Sequence, residues 1–189
     1  LLGYTKILAQ DLSSLTNQEI EELGSSLHQS ASQLFKLLEN LLSWSRIQRG
    51  VMECEAANLN FSLLAEQVTN IAKLRSSQKN ITLINNVPND FYVLADVNML
   101  NTVLRNLMSN AVKFTRKDGT IEISAKYESP DVAKIEVADN GVGMDDECLQ
   151  QIFKIDSYHS KPGTENEQGT GLGLILCKEL VEKNNGTIT

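Results

Sequence analysis

The chain has 189 residues, 41% of them hydrophobic and 22% charged, enough for one substantial domain and an appended element. A net charge of −7, from 24 acidic against 17 basic residues, excludes the broad basic surface that a nucleic-acid partner requires, so any phosphate site must be local. Cys54, Cys148 and Cys177 stand far apart with no CxxC pair, which speaks against a disulfide framework or a zinc site and fits a reducing cytoplasmic setting.

The first helical pattern covers residues 1–12 and gives way to a turn-like stretch at 13–17. From 20 to 44, Ile20, Leu23, Leu27, Leu34, Leu37, Leu41 and Trp44 fall on the a and d positions of a heptad pattern that Ser30 interrupts, and Leu38 and Leu42 widen the stripe. The two patterns predict a helical hairpin over 1–49, and its seam either joins a second copy in a four-helix bundle or packs on the chain's own domain. Gly50, just after Arg46 and Arg49, ends the second helix and opens a unit over 50–189.

In that unit Ser62 is placed to cap a helix over 63–77, residues 81–84 are strand-like, and 97–114 form a strong second helix. Residues 120–127 alternate apolar and polar, 128–131 reverse the chain, and 133–138 return as a partner strand. Helical patterns resume over 146–153 and 172–184, on either side of a stretch at 154–170 rich in Gly, Ser, Thr and charge. Strands and helices segregated in this way predict an α+β sandwich, with helices on one face of a mixed sheet. The chain opens without Met and closes on a strand-like beginning at 186–189, which reads as a piece of a longer protein; any membrane attachment is expected outside it, because no apolar run is long enough to span a bilayer.

Three clusters carry candidate chemistry. Asn106, Asn110 and Lys113 lie at spacings of four and three on one helix face, where amide oxygens suit a hard cation and Lys suits phosphate, unless the amides simply face solvent. Asp139 ends a strand ahead of Gly141 and Gly143; its carboxylate can accept from an exocyclic amine beside a close-approaching backbone, although Asp-Asn-Gly is also ordinary turn chemistry. Gly169, Thr170, Gly171, Leu172 and Gly173 lead into the last helix and leave its first N–H groups free for an anion, or else act as a hinge. No βαβ unit precedes this run and no Gly-Lys-Ser/Thr closes it, so it is neither a Rossmann fingerprint nor a Walker loop.

In this order and separation, the three clusters resemble the N box and the two glycine boxes of the Bergerat-type ATPases: histidine kinases, gyrase-like topoisomerases, heat-shock-90 chaperones and mismatch-repair ATPases. The resemblance covers about 140 residues. It implies that ATP is the ligand, that Asn110 ligates Mg²⁺, that Asp139 recognises the adenine amine, and that Lys113 and the glycines contact phosphate. Gyrase-like and chaperone members carry a water-activating Glu where this chain has Asn106, which cannot take a proton, whereas histidine kinases carry Asn. Residues 41–46 are similar to the end of that family's second dimerisation helix, and residues 1–4 to the stretch just after its H box. This places the phosphoacceptor before Leu1 and excludes His28 and His159 from that role. The likeness further implies a homodimer and a response-regulator partner. Phe153 keeps one aromatic of the family's F box while the second is missing, and 154–168 match its ATP lid, with Lys154 or Lys161 in reach of phosphate.

Overall fold

The computed structural model describes residues 2–10, 15–154, 161–165, 167 and 169–189. Helix α1 (Leu2–Gln10) packs along α2 (Asn17–Gln48), so the expected hairpin forms. Of the turn expected at 13–17, residues 13 and 14 lie outside the described residues, as do 11 and 12 before it. A capping box starts α2: the Thr16 hydroxyl accepts from Glu19 N at 3.3 Å, and Glu19 reaches back to accept from Thr16 N at 2.8 Å, satisfying two donors that a helix start otherwise leaves open. The helix ends where Gly50 turns with φ +69°. Leu34, Leu38, Leu41 and Leu42 remain 45–60% exposed, so this stripe is largely uncovered within one chain, with Leu34 and Leu37 bordering a groove beside Gly169 and Thr170. The side that carries Asn40 and Ile47, both buried, packs on the second unit.

Strand β1 (Ala57–Asn60) leads into α3 (Phe61–Gln78). Asn60 rather than Ser62 caps α3, its side chain accepting from Leu63 N at 3.3 Å while the Ser62 hydroxyl donates to Asn60. Strands β2 (Thr82–Asn86) and β3 (Tyr92–Ala95) follow, then α4 (Val97–Phe114), the long strands β4 (Thr120–Ser129) and β5 (Val132–Asp139), the short α5 (Asp146–Gln151), and α6 (Gly173–Lys183). β1 and β3, which the sequence pattern does not announce, form a separate antiparallel pair with Ala57 opposite Ala95. The main sheet runs β2-β4-β5 and is mixed: β2 is parallel to β4 with Leu83 opposite Ile121, and β4 is antiparallel to β5 with Ile123 opposite Val137.

The alternation of β4 buries Ile121, Ile123 and Ala125 on one face, against Phe61, Leu64 and Val68 of α3 and Leu104 and Met108 of α4. Each large side chain removed from water there contributes about 1.5–3 kcal/mol. A second cluster lies between α4 and α6, where Met99 and Val103 meet Leu176, Cys177 and Leu180, and α2 enters it through Ile47. This is the α+β sandwich expected from the pattern. Burial pushes the Cys177 thiol up to about 12, which makes it a small core residue. Asn184 ties the pieces together: its Oδ1 accepts from Asp96 N at 2.7 Å and from the Cys54 thiol at 3.5 Å, and its Nδ2 donates to Leu180 O at 2.8 Å.

Candidate functional site

Helix α4 is the hub. It is anchored by Asp96, whose Oδ1 accepts from Asn98 N at 2.9 Å and Met99 N at 3.0 Å and whose Oδ2 accepts from Glu55 N at 3.0 Å. Burial raises the Asp96 carboxyl pKa, but the three N–H donors outweigh it and hold it below the ordinary value. With Met99, Val103, Leu104, Met108, Ala111 and Val112 turned into the core, Asn106, Asn110 and Lys113 share the remaining half-buried face. Asn106 donates Nδ2 to Thr102 O at 3.0 Å, one turn back. The amide of Asn110 makes no hydrogen bond among the described residues, which leaves its oxygen available.

Both glycine-bearing loops close on this helix. At Gly141 a Cβ would collide with the Phe114 carbonyl at the end of α4 and lie 2.7 Å from Asp139 Oδ1, so only glycine allows the approach. Val142 N then donates to Phe114 O at 3.1 Å, and Gly141 N donates to Asp139 Oδ1 at 2.9 Å. Asp139 stands exposed at the end of β5, and the loop after it carries the half-exposed Val142 and Met144 and Gly143 at φ +68°. An exposed carboxylate at a strand end can accept from an exocyclic amine.

At the other loop, Gly171 turns with φ +70° and α6 begins at Gly173, where a Cβ would sit 3.1 Å from Asn106 Oδ1. No side chain caps this start, so its N–H groups remain open to an anion. Gly169 and Thr170 face α2, where Asn40 donates Nδ2 to Thr170 Oγ1 at 3.4 Å. The structure thus sets Gly173 against Asn106 on α4, and Gly141 with Asp139 at the Phe114 end of α4 near Lys113, while Gly169 and Thr170 face α2.

The stretch expected as a lid shows contacts that sequence reasoning did not find. Lys79, 3% exposed at the end of α3, donates Nζ to Val112 O at 2.9 Å, Lys113 O at 3.1 Å and Thr164 Oγ1 at 2.8 Å, and pairs with Glu167. Thr164 in turn donates to Thr115 O at 2.9 Å. Burial pushes the Glu167 carboxyl up, but Lys79 and the backbone N–H groups bring it below its ordinary value. Lys113 donates Nζ to Lys161 O at 2.9 Å, and desolvation depresses its pKa. Of the two lid lysines named from sequence, Lys161 pairs with Asp145 at 3.2 Å and Lys154 N donates to Gln151 O at 2.9 Å. Phe153 is half-buried just after α5, and His159 and the rest of 155–160 lie outside the described residues. His28 is exposed on α2.

Helix α6 thus starts uncapped beside Asn106, and the exposed Asp139 stands at the end of β5, on an α+β sandwich. Residues 95–189 match the family of histidine kinase-, DNA gyrase B- and HSP90-like ATPases, so the chain belongs to that ATP-binding family. Its relatives place it with sensor histidine kinases. It is 29% identical to the sensor histidine kinase GacS of Pseudomonas protegens over 194 residues and 30% identical to the autoinducer 2 sensor kinase/phosphatase LuxQ of Vibrio vulnificus over 196. Both alignments take in 100% of this chain but only 21% and 22% of those proteins. The full-length structure of ShkA in complex with AMPPNP superposes on 89% of the chain, and the chain on 35% of it, with a TM-score of 0.70 and 26% identity.

Proposed function

We propose that this chain is the catalytic region of a sensor histidine kinase, which binds Mg-ATP and transfers the γ-phosphoryl group to a histidine on its dimerisation hairpin for relay to a response-regulator aspartate. Residues 1–49 are part of that hairpin, without its acceptor histidine, and residues 50–189 are part of the ATP-binding domain, acting in the cytoplasm as a homodimer. Among the described residues no helix is long and apolar enough to cross a membrane.

The observation that carries this reading is Asn106, an amide held by its own helix at Thr102 O, at the position where the hydrolysing relatives have a carboxylate. With no base to activate water, bound ATP waits for an incoming imidazole, and catalysis rests on positioning and charge stabilisation. The residues present fit the ligand. Asp139 accepts from the adenine amine; Lys113 and the N–H groups of Gly169, Thr170, Gly171, Leu172 and Gly173 meet the phosphates. Asn106 and Asn110 line the floor, with the free Asn110 oxygen turned to Mg²⁺. No cluster of His, Cys, Asp or Glu among the described residues offers a metal cage of its own, which suits an ion held mostly by phosphate and water.

Calorimetry with ATP and GTP, run beside radiolabel transfer and phosphate release, tests the reading. Asp139→Asn is expected to weaken ATP binding by about 1.5–3 kcal/mol through the lost charge-assisted hydrogen bond, and to erase the preference over GTP. Label is expected to pass to the hairpin histidine in a form that carries it, with slow phosphate release. Brisk phosphate release, or unchanged ATP affinity in folded Asp139→Asn, would overturn the proposal.

A further inference from the structure

Lys79 is fixed at the end of α3: its N–H donates to Ser76 O at 3.1 Å and its carbonyl accepts from Asp118 N at 3.0 Å. From there its buried Nζ reaches Val112 O and Lys113 O, two of the last four carbonyls of α4, the groups that a helix end leaves without intrahelical partners. A cation suits that negative end of the helix, but one taken out of water needs a counter-charge as well. Glu167 supplies it, and Thr164 Oγ1 accepts from the same ammonium at 2.8 Å. Two residues far along the chain are thereby clamped onto the last turn of α4.

What this clamp holds in turn holds Lys113. The carbonyl of Lys113 accepts from Lys79 Nζ at 3.1 Å, from Thr164 N at 3.0 Å and from the Thr164 hydroxyl at 3.3 Å. Gly163, whose N–H donates to Glu167 O at 2.8 Å, lies against the Lys113 stem: a Cβ there would stand 2.5 Å from Lys113 Cγ and 2.8 Å from Lys113 O, so only glycine fits. The head of Lys113 donates Nζ to Lys161 O at 2.9 Å and sits 4.6 Å from the centre of the Phe114 ring. Carbonyl, stem and head are all restrained before any anion arrives, and since an ammonium has three donors, Lys161 O leaves others for an oxyanion. A lysine already ordered gives up little rotamer freedom when it grips phosphate, whereas a free one gives up much.

We propose that Lys79 is a positioning residue for phosphate binding: by clamping Thr164 and Glu167 to the end of α4, it orders Lys113 in advance for the polyphosphate of a nucleoside triphosphate. This rests on the ATP site proposed above and on the role given there to Lys113. Lys79 is enclosed by protein and acts through Lys113, so its removal is felt by a ligand that carries phosphate and not by the bare nucleoside.

The test is calorimetric titration of the whole chain, and of Lys79→Met, Thr164→Val and Asp139→Asn, with a non-hydrolysable ATP analogue and with adenosine; Lys79→Met and Thr164→Val are then repeated on a Lys113→Ala background. Lys79→Met is expected to weaken the triphosphate about 10-fold and Thr164→Val about 3-fold, with adenosine unchanged, and both effects should vanish on the Lys113→Ala background. Thr164→Val, nearly isosteric and only half-buried, decides the matter if Lys79→Met does not fold. Weakening that persists without the Lys113 side chain, or equal weakening of both ligands, overturns the inference, since either marks a structural role. Unchanged triphosphate binding also overturns it, as does tighter binding, which would mean that Lys161 O competes with phosphate for Lys113. Those outcomes strike the inference alone, provided Asp139→Asn still weakens adenosine. Failure of the wild-type chain to bind either ligand, or of Asp139→Asn to weaken adenosine, removes the ATP site and this inference with it.

Discussion

The carboxylate of Asp96 serves two segments at once, starting α4 through Asn98 and Met99 and pinning the linker after the hairpin through Glu55. Because its folded pKa lies below the unfolded value of 3.8, its stabilisation is fully present above that value and is lost as pH falls through the lower folded pKa. Asp96→Asn keeps the shape of the cap and removes the charge. It is expected to cost about 1 kcal/mol at neutral pH, with the gap to wild type closing in the acid range. Urea unfolding from neutral pH down to about pH 2 measures this. A gap that stays constant across the range would mean that the ionised form has no special hold on these donors.

At the scale of elements, what the sequence shows is the regular part. The bounds of α4 and the alternation of β4 follow from strict apolar periods, and both glycine loops are marked by residues with few other uses. β1 and β3 stay hidden because each is four residues long, too short for a period to register. Lys79 stays hidden for another reason: a lysine at a helix end looks like a solvated cap, and nothing local announces that four partners from α4 and 164–167 will enclose it. That contact fastens Thr164 and Glu167 to the end of the very helix that carries Lys113. Since Glu167 is about a third exposed, breaking the pair with Glu167→Gln is expected to cost only about 1 kcal/mol, well under a fully buried pair. Hydrogen exchange at Gly163 and Glu165, whose N–H groups bond to Glu167, should then quicken about fivefold, with the sheet unaffected. Uniform quickening throughout would instead place Glu167 in global stability.

Over the whole molecule, α2 is a rod with two different sides: one on which Asn40 holds Thr170 of the glycine loop, and a leucine stripe that stays largely exposed within the chain. If the stripe is the interface between two copies, Leu34→Lys buries a charge against its symmetry mate and is expected to yield monomers. Light scattering decides, and equal masses for variant and wild type would dismiss that role for Leu34. The main sheet poses a separate problem of colloidal behaviour. Among the described residues β5 pairs with β4 on one side only, which leaves its other edge open to a further strand. Lys134 and Glu136, 3.2 Å apart on that strand, put paired charge beside the edge, the kind of residue that discourages unregistered addition. Two surface charges on β5, far in sequence from the glycine loop, thus bear on how far this stretch of chain can be concentrated before it precipitates.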